Sequence, residues 1–196
     1  MYVGTGDREH PLNTASVDKM FMLKDTGVGL AASADPTIVY PGNLLDITSS
    51  FDETDFNTLL GGTPWSMKTG WYMNFASGEK MTSSPTVYRN ILSFSTYSPN
   101  LSINACVPPG KGVLYGMNAL DGSVISGTYA AGMGVTAQQR RQYVGLAVRG
   151  YIPTGSLIVR GKKVFVVNVA EGRLLYRQIG TIGGASKVYW YRESER

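Results

Sequence analysis

Short apolar-polar alternations recur along the chain, each closed by Gly, Pro, Asn or Asp. Runs of this length and period read as half-buried β-strands separated by tight turns. Residues 1–4 form the first predicted strand, and residues 20–23 form a second that ends at Asp25-Thr26-Gly27. Pro36 and Pro41 break the irregular stretch 28–43, and residues 44–48 read as an edge strand. Five hairpins follow. Residues 70–75 turn at Ala76-Ser77-Gly78 into 79–82, and residues 86–88 turn at Arg89-Asn90 into 91–97. Residues 112–118 reach Asp121-Gly122 and then 123–125; Asp-Gly supplies the positive φ angles that match strand twist. Residues 156–159 turn at Arg160-Gly161 into 163–169, which turn at Glu171-Gly172 into 173–178. Residues 187–191 are the last predicted strand.

One segment breaks the strand rhythm. Residues 51–60 predict a helix of about two turns, with Ser50 as its cap. Asp52 and Glu53 suit the positive first turn, and Gly61-Gly62 end it. The expected class is all-β, built from antiparallel hairpins, with one short helix and long loops at 5–13, 27–43 and 127–142.

Two hairpins share a pattern. Asn118-Ala119-Leu120-Asp121-Gly122 and Asn168-Val169-Ala170-Glu171-Gly172 each follow an apolar strand, about one propeller-blade length apart. This spacing suits a β-propeller; a β-sandwich uses the same hairpins.

Composition agrees with an ordered β domain: 43% hydrophobic residues, 24 glycines and only 16% charged residues in 196. The net charge of +4 is divided unevenly. Residues 1–100 carry 6 basic and 10 acidic side chains, and residues 101–196 carry 12 basic and 4 acidic. No cluster of aromatic and basic residues resembles a nucleic-acid platform, so the basic half reads as a solvated β surface. Cys106 is the single cysteine and forms no internal disulfide. No transmembrane run or signal peptide is visible. Residues 1–4 enter directly on a core-type strand, which gives the expectation of a piece of a longer chain.

Candidate chemistry is sparse. His10 is the only histidine, and it lies with Asp7 and Glu9 in Gly4-Thr5-Gly6-Asp7-Arg8-Glu9-His10-Pro11. It reads as a loop residue held by hydrogen bonds, with metal binding or general-base work as the alternative. No other residue completes a triad. The Gly4-x-Gly6 pair lacks a following helix and third glycine, and neither Asp25-Thr26-Gly27 nor Asp121-Gly122 has the ligands of a calcium loop. Asp52, Glu53 and Asp55 read as a solvated helix start. Arg8 between two acids is expected to pair on both sides and fix its loop. The candidate site is therefore a structural loop: Gly4, Gly6, Asp7, Arg8, Glu9, His10 and Pro11. Catalytic, metal and cofactor-binding residues are expected to be absent.

Several stretches, in order, resemble the PilY family of type IV pilus tip-associated proteins. They are residues 4–11, Asp18-Lys-Met-Phe-Met-Leu-Lys-Asp25, Leu44-Leu-Asp-Ile-Thr48 and Gly70-Trp-Tyr-Met-Asn-Phe75. Gly78-Glu-Lys80, Ser83-Ser-Pro85, Ser93-Phe-Ser-Thr-Tyr-Ser-Pro99, Cys106, residues 112–122 and Trp190-Tyr-Arg-Glu193 complete the series. The resemblance implies that residues 1–196 are the C-terminal portion of a β-propeller domain, supplying about three or four blades. It further implies export to the cell surface, pilus tip or outer membrane, and a part in pilus assembly, twitching motility and adhesion. The partners it implies are minor pilins, the missing blades, or a host or abiotic surface. The calcium loop of the family lies upstream of the matched stretch, and neither Arg149-Gly150 nor Arg160-Gly161 is followed by Asp.

The expected role is non-enzymatic display of loops on a propeller scaffold. A quinoprotein-like propeller enzyme is one alternative, suggested by Asn118-Ala-Leu-Asp-Gly122, but the usual tryptophan of that repeat is missing. A carbohydrate-binding module using Trp65 or Tyr72 is another; Trp71 and Trp190 read as strand residues of the core.

Overall fold

The computed structural model describes residues 1–7, 9–24, 43–50, 52–88, 90–99, 110–125, 141–142, 148–149, 155–160, 163–170 and 173–181. These residues are mostly β, as the alternation predicts, and carry one α-helix. The strands form three sheets that succeed one another along the chain.

The first sheet contains β1 (Tyr2–Gly4), β2 (Lys19–Leu23), β3 (Leu44–Asp46) and β4 (Gly70–Asn74), in the order β1-β2-β4-β3. β1, β2 and β4 are antiparallel, while β3 runs parallel to β4 at the sheet edge. The predicted edge strand is thus an edge strand. The helix α1 (Glu53–Leu60) supplies part of the long crossover that a parallel pair requires. A single 3-10 turn at Trp65–Met67 leads into β4.

The second sheet contains β5 (Lys80–Met81), β6 (Thr86–Tyr88), β7 (Ile91–Ser98), β8 (Lys111–Asn118) and β9 (Val148–Arg149). β5 and β6 pair with successive stretches of the same edge of β7. β7 and β8 form the longest hairpin of this sheet, in register from Ile91 opposite Asn118 to Ser98 opposite Lys111. Asn90, at φ 65°, makes the tight connection from β6 to β7. The third sheet is the meander β10 (Gly155–Arg160), β11 (Lys163–Ala170) and β12 (Arg173–Thr181), with a bulge at Val164/Phe165.

One core joins the first two sheets. Met20, Met22, Trp71 and Met73 from the first pack with Leu92, Phe94, Val113, Tyr115 and Met117 from the second. These residues alternate along their strands, so each sheet turns one face inward. Phe94 and Tyr115, opposite each other in the register, stack at 5.0 Å, and Phe75 packs against both. The other face of the β7–β8 hairpin is also covered: Ser93, Ser95, Tyr97 and Leu114 are buried, and β10 runs close to β7.

Four local expectations are corrected. Residues 70–75 and 79–82 do not form a hairpin: both edges of β4 are taken by β2 and β3, and β5 pairs with β7 instead. The tight turn closed by the Glu79 amide on the Ala76 carbonyl carries the chain from one sheet to the next. The helix cap is Asp52, not Ser50. Asp52 is extended and its carboxylate accepts from the Asp55 amide at 2.9 Å, while Ser50 Oγ donates to the Asp52 carbonyl. The helix accordingly starts at Glu53 and ends, as expected, at left-handed Gly61.

At Asp121-Gly122 the loop spans residues 119–122, because the Asn118 amide donates to Ser123 O and the Gly122 amide to Asn118 O. Only the Met117–Val124 bridge continues the pairing. Arg160 pairs with Lys163, so Arg160 belongs to its strand and not to the turn. The strand expected at 187–191, residues 27–42 of the loop expected at 27–43, Cys106 and Trp190 lie outside the described residues. Among the described residues no helix is long and apolar enough to cross a membrane.

Candidate functional site: two pinned loops and a groove

The loop 5–18 is fastened to the scaffold at several points. It leaves β1 at Gly4 and passes over β5 at Gly6. A Cβ at Gly4 would overlap the Met81 thioether, and Gly6, at φ 156°, lies against the Met81 backbone. The Thr5 carbonyl accepts from the Met81 amide at 3.2 Å. Thr5 Oγ1 accepts from the Lys19 amide and donates to Asp18.

Beneath this loop, adjacent residues Glu79 and Lys80 are 3% and 1% exposed, so both charges are withdrawn from solvent. The Lys80 ammonium donates to the Asn13 carbonyl and to Ser16 Oγ, and lies 3.7 Å from the Asp18 carboxylate. It ties the far half of the loop to β5. The Glu79 carboxylate accepts from Thr96 Oγ1 at 2.6 Å and Tyr115 Oη at 2.8 Å, with Gln142 donating in turn to Tyr115. It ties the connection between the sheets to β7 and β8. Buried charges persist only when hydrogen-bonded in this way.

Apart from Gly4, which ends β1, the predicted site residues fall on this loop. Asp7 accepts from the amides of Glu9 and His10, and its other oxygen lies 2.7 Å from His10 Nδ1. The His10 hydrogen bond, the largest cause, lowers the Asp7 carboxyl below its usual range. Both side chains are at least half exposed. His10 thus has one acidic partner and serves the loop's own geometry. Glu9 is exposed and Pro11 half-buried, while Arg8 and its expected pairings lie outside the described residues. Among the described residues no group of three or more His, Cys, Asp or Glu side chains is placed to hold a metal ion.

A second loop region is pinned by a third buried charge, which the sequence did not advertise. Arg141, 0% exposed, donates to four carbonyls: Gly122 from Nε at 2.7 Å, Ile47 and Ser50 from Nη2 at 3.0 and 2.5 Å, and Thr48 from Nη1 at 3.4 Å. Its own carbonyl accepts from the Gly116 amide. Burial lowers its pKa to about 10, with Tyr115 and Asp121 opposing that shift, so it stays charged at neutral pH. It joins the segment after β3 to the loop after β8.

The loop 119–122 has further anchors. Trp71 Nε1 donates to Leu120 O at 2.9 Å and Tyr2 Oη to Ala119 O at 3.0 Å. Gly122 sits at φ 67° against Ile47, where a side chain would collide.

Between that loop and α1 lies a groove of about 400 Å³. Its helical wall is the face formed by Glu53, Phe56, Asn57 and Leu60, at the spacing of one helix side. Its other wall is Asn118, Leu120 and Asp121, and Trp65 lies between. Phe56 and Trp65 meet edge to face at 5.2 Å. The Lys24 ammonium sits 3.5 Å over the Trp65 ring and donates to the Trp65 carbonyl; burial lowers its pKa.

Of the aromatic residues considered for binding, Trp65 is therefore at a concavity. Tyr72 lies on the outer face of β4, packed against Phe21 and under Lys19. Burial and then the Asp46 hydrogen bond raise its pKa. Trp71 is wholly buried, in agreement with its reading as core. A comparison with protein-family models finds none that matches this chain, and a comparison with curated proteins finds no match either.

Proposed function

We propose that this chain is a non-enzymatic display and assembly domain of type IV pili, the C-terminal portion of a PilY-like β-propeller. It acts at the cell surface, pilus tip or outer membrane, where its rim loops meet minor pilins or an adhesion target. The three sheets would be successive blades, completed by further blades from elsewhere. No cofactor is assigned to this segment.

The observation that carries the reading is the use made of buried charge. Glu79, Lys80 and Arg141 lie in the interior, and their described bonds run to loop carbonyls, hydroxyls and sheet side chains. That is the chemistry of a scaffold that fixes loops. The sequential order of the three sheets along the chain and the coverage of both faces of the β7–β8 hairpin also support it. The loop 5–18, on which the family resemblance begins, is among the most heavily fastened segments.

The test is genetic. In the source cell, an in-frame deletion of residues 5–18 is expected to abolish surface pili and twitching, while Asp7→Asn leaves both intact. Normal piliation and twitching after removal of the whole 1–196 segment would overturn the proposal.

A further inference from the structure

We infer that the groove between α1 and the loop 119–122 binds a neutral oligosaccharide. The assignment gives the adhesion half of the reading above a ligand class and rests on it for biological context alone. Three properties of the groove select the ligand.

The first is its mixed lining. Leu120 is 62% exposed at the lip, beside the Trp65 ring and Leu60, which is apolar surface open to a ligand face. Interleaved with it are the carboxylates of Glu53 and Asp121 and the amides of Asn57 and Asn118. Pyranose rings present just this combination, a C–H face and a belt of hydroxyls that both donate and accept.

The second is the direction of the polar groups. Asn118 Oδ1 accepts from Asn90 Nδ2 and from the Leu120 amide, each at 2.9 Å, which orients the side-chain amide. Asp121 uses one oxygen to accept from the Ser123 amide at 2.9 Å. Each keeps polar capacity beyond these bonds to described residues.

The third is charge. Among the described residues two carboxylates and no cation line the groove, so a phosphate, sulfate or carboxylate ligand meets like charge. A cationic ligand would seek the Trp65 ring, but Lys24 already occupies a face of that ring. A neutral polyhydroxylated ligand is the class that both charges admit. The volume of about 400 Å³ lies in the usual range of small-ligand clefts, roughly 300–1,000 Å³. The walls are also preorganised. Arg141 bonds Ser50 O near one wall and Gly122 O beside the other, and Trp71 and Tyr2 fix the loop between.

The test uses the whole 196-residue chain on an array of neutral, sialylated, sulfated and amino-sugar oligosaccharides. The neutral compound giving the strongest signal is then titrated by calorimetry. Binding of a neutral oligosaccharide is expected, weakened roughly tenfold or more by Trp65→Ala. Because Trp65 also packs on Phe56, the exposed double variant Glu53→Gln/Asn57→Ala is measured beside it. Loss of the first-turn charge of Glu53 and the higher helix propensity of Ala over Asn57 are small opposing effects, so its melting temperature is expected to stay near the wild-type value while affinity falls.

Absence of neutral-sugar binding overturns the inference, as does binding confined to charged sugars or to Lys/Arg-rich peptides. Unchanged affinity in the double variant overturns the location. Loss of the pilus phenotype and loss of sugar binding are separate readouts, so either reading can fail while the other stands.

Discussion

Lys80 and Arg141 are both fully buried cations, yet they are held in different ways. Lys80 reaches from β5 into one loop, where a carbonyl, a hydroxyl and the Asp18 carboxylate receive it. The described partners of Arg141 are backbone carbonyls, drawn from two segments far apart in sequence. An ammonium is a compact charge that suits one local cluster, whereas a guanidinium carries donors in several directions and can bridge elements. The difference assigns separate tasks. Lys80 shapes a displayed loop, and Arg141 joins the end of the first sheet to the second and sets the groove between them.

Replacing Arg141 is expected to have the largest effect. Arg141→Met leaves several buried carbonyls without a donor, and should cost about 3 kcal/mol or more in chemical denaturation. A loss under about 1 kcal/mol would mean that the bridge between sheets lies elsewhere.

Gly122→Ala probes the same region without touching charge. The left-handed backbone and the contact with Ile47 predict a loss of about 2 kcal/mol and weakened Arg141 bonding. Lys80→Met should cost a similar amount or less, about 1–2 kcal/mol, because its partners lie in a loop that can relax toward water. Its effect should be confined to loop 5–18, which separates it from Arg141→Met.

The smallest effect is expected at Asp7 and His10, the exposed pair at the tip of that loop. The folded Asp7 carboxyl lies below its usual range, so its contribution is present above that range and lost as pH falls through the lowered value. Solvent around both side chains screens the pair. Denaturation midpoints of Asp7→Asn and wild type should therefore coincide from pH 7 to pH 5. A clear separation would make the tip, and not Lys80, the main fastening.

These contrasts mark what the sequence made legible. Alternation located β2 and β4, since each buries one face and period two is written in Met20, Met22, Trp71 and Met73; β7 and β8, buried on both faces, were located by their turn-bounded runs. The Gly61 stop of α1 was equally plain. Strand partners were not: the choice of β2 and β3 as neighbours of β4 depends on contacts distant in sequence, and local turn chemistry pointed to a hairpin instead.

The site was legible only in part. The loop 5–18 stood out through Gly4, Gly6 and His10, but its fastening by Lys80 did not, because a lysine in a short strand reads as solvent-facing. Arg141 lies in a Gln/Arg run with no periodicity to mark it as interior. Trp65 was visible as a candidate, while the groove around it needed residues 53–60 and 118–121 brought together by the fold.

Hydrogen exchange on wild type, Lys80→Met and Arg141→Met tests the central claim, that buried charges fix separate loops on a rigid β scaffold. The predicted result is selective. Lys80→Met should lose protection at amides anchored to loop 5–18, such as Lys19, Gly78 and Met81, while the β7–β8 hairpin keeps its protection. Arg141→Met should lose protection at Ile47, Gly116 and Gly122 and along both sheets. An equal, uniform loss in both variants would contradict the account, because the two cations would then be interchangeable parts of one core.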